Sequence, residues 1–207
     1  MFTVALFDLD GVVRHFDSDH VGAIEARYGI ATGEIERFAF SSPLIEQVTT
    51  GCISRRDWVD LVAEHLSNAE AAAEWGCHPF SADPAVLALV DAVRQGGLRT
   101  AILTNGTDTI PAEVASLGLD THFDEIFNSA AIGYAKPDRR AFQHVLDSMG
   151  VSAGEVFFTD DSPAKLAGAA ALGMTVHHFT GVAGLKRALR TSGILAGPGV
   201  SRGKLGG

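Results

Sequence analysis

Four places along the chain hold side chains suited to chemistry at a charged oxygen centre. Asp8-Leu9-Asp10-Gly11 sets two carboxylates two residues apart, Thr104-Asn105-Gly106 pairs a hydroxyl with an amide, Lys136 stands before Pro137, and Thr159-Asp160-Asp161-Ser162 offers two adjacent acids. Taken singly, each has an ordinary reading as an Asp-Gly turn, a strand-exit cap, a surface lysine, or acids at a helix N-terminus. Together the four carboxylates and one lysine carry a formal charge of −3, which is costly to gather in a low-dielectric place without a counter-ion. Oxygen-only donors of that charge select a hard dication, and a few such ligands completed by a phosphate suit Mg2+.

Gathering these groups falls to the elements that precede them. Residues 2–7, 100–103, 126–128, 156–158 and 175–179 are short apolar runs, most of them rich in Val, Ile and Phe, and they alternate with helical patterns. That alternation predicts an α/β fold with a parallel sheet of buried strands. Asp83-Pro84 opens a helix with Val86, Leu87, Val90 and Val93 inward. Pro137 opens a second with Phe142, Val145, Leu146 and Met149 inward, Ser162-Pro163 a third, and a fourth covers residues 182–189. Every reactive group then lies where a strand gives way to the next segment or at a helix start. If the strands are parallel, all of them converge on one sheet edge.

One stretch breaks the alternation. Between the first strand and Asp83 lie about seventy residues with helical patterns and no convincing strand. Ser54-Arg55-Arg56-Asp57 resembles a capping box before Trp58, Leu61, Val62 and Leu66, and Val21, Ile24 and Tyr28 mark another helix. An all-helical insert after the first strand would sit over the C-terminal edge of the sheet, where open α/β sheets bind ligands, and would act as a lid. The expected division is therefore a core of residues 1–14 and 83–195, a helical cap of residues 15–82, and a mobile tail of residues 196–207 rich in glycine.

Composition narrows the partners. The 207 residues carry 16 basic and 25 acidic side chains, a net charge of −9, with 46% apolar and 20% charged residues, values typical of a folded globular chain. Such an acidic chain is a poor general partner for nucleic acid or an anionic membrane, so an anionic substrate must be met by a local device. Cys52 and Cys77 read as ordinary thiols of a reducing compartment. The N-terminus lacks the basic start and long apolar stretch of a signal peptide, and no apolar run reaches the ~18 residues of a membrane span. A cytoplasmic protein is expected, with its oligomeric state open.

The residues Phe7-Asp-Leu-Asp-Gly-Val-Val13, Leu103-Thr-Asn105, Lys136-Pro137 and Phe157-Phe-Thr-Asp-Asp-Ser-Pro163 resemble, in order, the four motifs of the haloacid dehalogenase-like (HAD) hydrolase superfamily. The helical insert is similar to that family's C1 cap, and the resemblance covers residues 1–190. It implies a Rossmann-like core of five parallel strands in the order 5-4-1-2-3, flanked by helices. It also implies a Mg2+-dependent hydrolase of phosphomonoesters acting on a small phosphorylated metabolite. Asp8 would be the nucleophile and become an aspartyl phosphate, while Asp10 would protonate the leaving oxygen and then activate water. Thr104, with backbone groups near Asn105, would hold the phosphoryl oxygens, and Lys136 would neutralise Asp8 and the phosphoryl charge. Asp8, the Asp10 carbonyl, Asp160 and Asp161 would bind the metal. Dehalogenation is disfavoured, since a halide needs no acid and Asp10 is present.

The main alternative is a phosphomutase of the β-phosphoglucomutase type, which uses the same acids. A signalling receiver would need a different chain order of Asp, Thr and Lys, and a non-catalytic relative would lack a central residue. One departure from the family pattern is Lys165, four residues beyond Asp161 where Asn is common, placed either to charge the site or to face solvent. His177 and His178 are strand neighbours that face apart and cannot clasp one ion. Arg14 and His15 enter the hinge and are possible substrate contacts, whereas Arg27, Arg37, Arg55 and Arg56 read as solvated helix faces.

Overall fold

A computed structural model describes residues 1–196. The tail expected to be mobile lies outside the described residues, apart from residue 196. Seven strands occur among the described residues: β1 (Val4–Phe7), β2 (Arg14–Phe16), β3 (Phe80–Ala82), β4 (Arg99–Thr104), β5 (Glu125–Asn128), β6 (Val156–Asp160) and β7 (Thr175–His178). Five form one parallel sheet in the order β5-β4-β1-β6-β7. Counting only these five, the order is the expected 5-4-1-2-3 read from the other edge. The two remaining strands are what shift the labels.

All four residues of β1 are fully buried, as the central strand of a doubly covered sheet requires. Alternation along it divides the core. Ala5 and Phe7 join one apolar cluster, while Val4 and Leu6 join the other. The helices follow the same division. After the five helices of the insert come α6 (Pro84–Gln95), α7 (Ile110–Ser116), α8 (Ser129–Ile132), α9 (Arg139–Met149), α10 (Pro163–Leu172) and α11 (Val182–Thr191). Val86, Val90 and Val93 of α6, with Leu185 and Leu189 of α11, cover the Phe7 face, and Phe142 and Val145 of α9 with Leu166 of α10 cover the Leu6 face. The result is three layers with every sheet strand ending at one edge.

At α6, α8 and α9 a side chain satisfies the first free N–H groups of the helix. The Asp83 carboxylate accepts from Ala85 and Val86 at 2.8 and 3.2 Å, as the Asp-Pro signal predicts. Pro137 does not open α9. The helix begins at Arg139 because Asp138 is the residue whose carboxylate accepts the Arg140 N–H, at 2.9 Å. Residues 135–138 are therefore loop, which matters for Lys136. Helix α11 runs two residues past the expected end at 189.

The insert holds α1 (His20–Tyr28), α2 (Glu34–Ala39), α3 (Leu44–Thr49), α4 (Arg55–Leu66) and α5 (Ala69–Gly76), packed around their own cluster of Val21, Ile24, Ile35, Val48, Trp58, Val62 and Trp75. The capping box at Ser54 and Asp57 is formed. Leu61 is not inward: the stripe of α4 follows Trp58, Val62 and Leu66 at four-residue spacing and leaves Leu61 exposed. Nor is the region all helical. β2 and β3 pair antiparallel, with Arg14 opposite Ala82 and Phe16 opposite Phe80, so the outgoing and returning chain meet beside the sheet edge. Both limits expected for the insert fall within this pair. Strands of only three residues each carry too little alternation to be read from the sequence.

No helix among the described residues is long and apolar enough to cross a membrane.

Helix α10 crosses the 135–138 loop closely. A Cβ on Gly168 would stand 2.0 Å from the Pro137 carbonyl oxygen and 2.8 Å from the Phe142 ring. Backbone cannot retreat as a flexible side chain can, so Gly168→Ala is expected to cost about 1–3 kcal/mol. Urea unfolding of the variant against the parent protein measures this directly, and an unchanged midpoint would show that the loop yields freely.

Candidate active site

Asp8 is the first residue past β1, and its N–H donates to the Thr159 carbonyl of β6 at 2.9 Å, so the sheet ladder itself fixes its backbone. Its side chain is buried. Oδ1 accepts from Lys136 Nζ at 2.8 Å and from the Leu9 N–H at 2.8 Å, while Oδ2 has only Lys165 Nζ, 3.5 Å away. The same Lys136 ammonium donates to Asp160 Oδ2 at 2.7 Å and lies 5.4 Å from the Phe158 ring centroid. A lysine with 0% side-chain exposure thus sits between two carboxylates exposed by 1% and 0%.

Its loop is held by Asn105. The Asn105 Nδ2 donates to the Lys136 carbonyl at 2.8 Å, and Oδ1 accepts the Lys136 N–H at 2.7 Å. The Asn105 side chain is therefore committed to the lysine loop, and only its backbone is left to face a ligand. Thr104 ends β4 and is buried. Asp161 is exposed beside them, and one oxygen from each of Asp8, Asp160 and Asp161 lies within 4.8 Å of the others. Gly11 permits this closeness: its φ is +81°, and a Cβ there would stand 2.1 Å from Asp161 Oδ2. An all-oxygen, acid-rich donor set of this size fits Mg2+.

Asp10 lies at the mouth. Its Oδ1 accepts from Arg14 Nε at 2.6 Å, and Arg14 Nη1 donates to Glu113 Oε2 at 2.5 Å. Glu113 Oε1 accepts from Thr109 Oγ1 at 2.6 Å. Arg14 is buried, with its guanidinium carbon 4.9 and 4.8 Å from the Phe16 and Phe80 ring centroids. Glu113 and Thr109 carried no signal in the sequence, since α7 stands 99 residues beyond Arg14 and only the fold joins them.

Other expectations sort out by contact. Lys165 faces Asp8, not solvent. His15 is 44% exposed and 3.5 Å from Asp83, away from the acids. His177 bonds Thr159 and His178 the Asp161 carbonyl, so the two rings have separate partners. Arg27, Arg37 and Arg56 are exposed, but Arg55 is not a solvated face. The start of α4 abuts the core, where the Arg55 N–H donates to Asp108 Oδ1 at 2.8 Å and Nη2 to the Gly76 carbonyl at 2.7 Å. Between the insert and the strand ends lies a cavity of about 460 Å³ lined by Asp10, Arg14, Lys165 and Asn105 on the core side and Phe40, Trp58 and Trp75 on the insert side.

The electrostatics follow from burial. Desolvation raises the Asp8 pKa, but the charges of Lys136 and Lys165 and the bond from Lys136 outweigh it, holding Asp8 below the usual carboxylate range. Burial lifts Asp10 above its ordinary value against the opposing effect of Arg14. Asp160 is raised to about 6, first by burial and then by Asp8, with Lys136 pulling the other way. For Lys165 burial lowers the pKa, and Asp8, Asp160 and Asp161 more than reverse it.

A parallel sheet whose strand ends deliver acids and a hydroxyl to one edge, where a loop adds a lysine, defines an α/β protein built around an anionic, oxygen-rich centre. A family model described as haloacid dehalogenase-like hydrolase matches residues 2–173, and the chain belongs to that family. Phosphatase MT3486 of Mycobacterium tuberculosis is 27% identical over 199 residues, covering 84% of this chain and 86% of that protein. Phosphoserine phosphatase of Thermus thermophilus is 35% identical over 83 residues, 40% of this chain, and the match spans 33% of that enzyme. Among solved structures, the HAD family enzyme bt-2542 of Bacteroides thetaiotaomicron, in complex with magnesium and inorganic phosphate, superposes with a TM-score of 0.72 at 22% identity, covering 86% of this chain and 93% of that one.

The raised pKa of Asp160 means the folded chain holds this proton more tightly than the unfolded chain. Ionising it therefore penalises the metal-free fold as pH rises through about 6, and a bound cation relieves the penalty. Mg2+ at about a hundredfold excess over its Kd is expected to raise Tm by about 5–10 °C near pH 7.5 and by much less near pH 5. Thermal melts in Mg2+ and in EDTA at both pH values check this, and equal shifts would contradict it.

Proposed function

We propose that the protein is a Mg2+-dependent phosphomonoester hydrolase that acts on a small phosphorylated metabolite through an aspartyl-phosphate intermediate. The observation that carries this reading is the buried Lys136 bridging Asp8 and Asp160, with Asp10 held separately at the mouth of the cavity. The names of two relatives, a phosphatase and a phosphoserine phosphatase, support it, as does the family.

Asp8, Asp160, Asp161 and the Asp10 carbonyl would hold the metal. When bound, Mg2+ supplies positive charge against the phosphoryl oxygens and the clustered acids. Asp8 Oδ2, free of strong hydrogen bonds, attacks phosphorus, while Oδ1 stays anchored to Lys136 and Leu9. As the P–O bond to the alcohol breaks, Asp10 passes its proton to the departing oxygen, and its raised pKa suits it to start protonated. Ionised Asp10 then takes a proton from water as that water attacks phosphorus, which breaks the Asp8–phosphate bond and releases inorganic phosphate. Lys136 and Lys165 neutralise the charge of Asp8 throughout, and Thr104 with the Asn105 backbone orients the phosphoryl oxygens. The insert, residues 15–82, serves as a cap that closes over the substrate and excludes bulk water. The presence of Asp10 favours an alcohol over a halide as leaving group.

Asp8→Asn is expected to abolish phosphate release, and EDTA to do the same reversibly. Asp10→Asn should lower kcat about 10²–10⁴-fold on an alkyl phosphate, yet much less on p-nitrophenyl phosphate, whose leaving group needs little protonation. Phosphate-release assays over a metabolite panel test all three. Turnover of a hexose phosphate to its isomer, without free phosphate, would replace hydrolase by mutase.

A further inference from the structure

We propose that the alcohol half of the substrate is a flat, apolar body without an anionic group, carrying a hydrogen-bond donor or cation on the side that faces Glu36. This rests on the phosphomonoesterase reading above and names the substrate class of that same site.

The first observation is apolar. Five large hydrophobic residues are exposed among the described residues, and two of them, Phe16 at 38% and Phe40 at 51%, line this one cavity. Trp58, Trp75 and Ile45 back them from the insert. An apolar surface left open inside a cleft of about 460 Å³ wants a ring-sized apolar partner, and Phe and Trp faces favour a flat one or a cation.

The second observation is charge. Every cation on the cavity wall is already engaged. Arg14 is buried and shared between Asp10 and Glu113, and Arg55 donates to the Gly76 carbonyl with Nη1 3.9 Å from Glu113. Lys165 points at Asp8, where the phosphoryl group would lie. His78 Nε2 is 2.8 Å from the Asp17 carbonyl, which the ring meets as a donor. Glu36, by contrast, is exposed on the insert wall with no ion pair or side-chain hydrogen bond among the described residues. A second carboxylate on the substrate would find no free cation and would meet Glu36 and Glu113, which is a repulsive device as well as a missing attraction. An amine or hydroxyl would find an acceptor. Short, doubly anionic esters such as phosphoglycolate are therefore poor substrates for this cavity.

The test uses three esters of nearly equal leaving group: benzyl phosphate, 4-(aminomethyl)benzyl phosphate and 4-carboxybenzyl phosphate, with phosphoglycolate alongside. The expected order of kcat/KM is aminomethyl above benzyl, and benzyl at least about tenfold above carboxybenzyl and phosphoglycolate. Glu36→Gln should erase the advantage of the amine, and Phe40→Ala should lower kcat/KM for all three benzyl esters. Both residues are exposed, and thermal melts verify that the variants fold. A carboxybenzyl ester or phosphoglycolate turned over as well as benzyl phosphate, or a Phe40→Ala variant with unchanged kcat/KM, overturns the proposal. If no ester releases phosphate, nor p-nitrophenyl phosphate, it is the hydrolase reading that fails. The cavity is then tested by calorimetric binding of the matching benzylphosphonates in Mg2+. The same order of affinity supports the proposal, and a carboxylate that binds equally well or better, or no binding by any, defeats it.

Discussion

One ammonium group buried between two carboxylates organises this molecule. Lys136 Nζ lies 2.8 Å from Asp8 and 2.7 Å from Asp160, out of contact with water. Burying three charges is tolerable only where geometry is tight and remaining lone pairs are used. The fold meets that condition from several directions. Parallel pairing of β1 with β6 sets Phe7 opposite Thr159, so the residues that follow, Asp8 and Asp160, emerge side by side. The Leu9 N–H shares Asp8 Oδ1 with the lysine, and the Ser162 N–H donates to the other oxygen of Asp160, at 2.8 Å each. The lysine comes from a loop, and loops are the least rigid part of such a sheet edge. Two hydrogen bonds from the Asn105 side chain and the close crossing of Gly168 over Pro137 hold it there.

The charges form a gradient from this centre to the mouth. Inside, two lysines face three acids, and the excess negative charge gathers where Asp160 and Asp161 meet Asp8. Outside, Asp10 is bound not to the lysines but to Arg14, whose other end reaches Glu113 on α7. Two carboxylates only two residues apart therefore live in different surroundings, one held below and one above its ordinary pKa. That separation is what a nucleophile and an acid require of each other. Arg14 belongs to β2, the strand that leads into the insert, so the chain segment that joins the two parts also fixes the side chain of Asp10.

Much of this was legible from residue order. Alternating apolar runs and capped helices mark a parallel sheet because strand and helix periods differ, and Asp83-Pro84 and Ser162-Pro163 do open helices. What local pattern misplaced was decided by single contacts. Pro137 looks like a helix start until Asp138 is seen to cap α9. Leu61 looks inward until the neighbours of α4 select the stripe through Trp58 and Val62. The short pair β2 and β3 has no periodicity to betray it, since pairing across more than sixty residues of chain is what makes it a strand pair.

By itself, then, the sequence determined the alternation of strands and helices, the placement of Asp8, Asp10, Thr104, Asp160 and Asp161 at strand exits that parallel pairing brings to one edge, and the presence of a helical insert, while the strand order followed from the resemblance to the family. The first three rest on local periodicity and on the handed, parallel connection of strands, which short-range sequence encodes. Only the tertiary structure decided that Lys136 bridges two acids, that the Asn105 side chain serves the lysine, that Lys165 faces Asp8, and that Arg14, Glu113 and Arg55 form one network beside an aromatic cavity. Those contacts join residues tens of positions apart. Direction and depth of a side chain depend on what packs against it, and no window along the chain contains its partners.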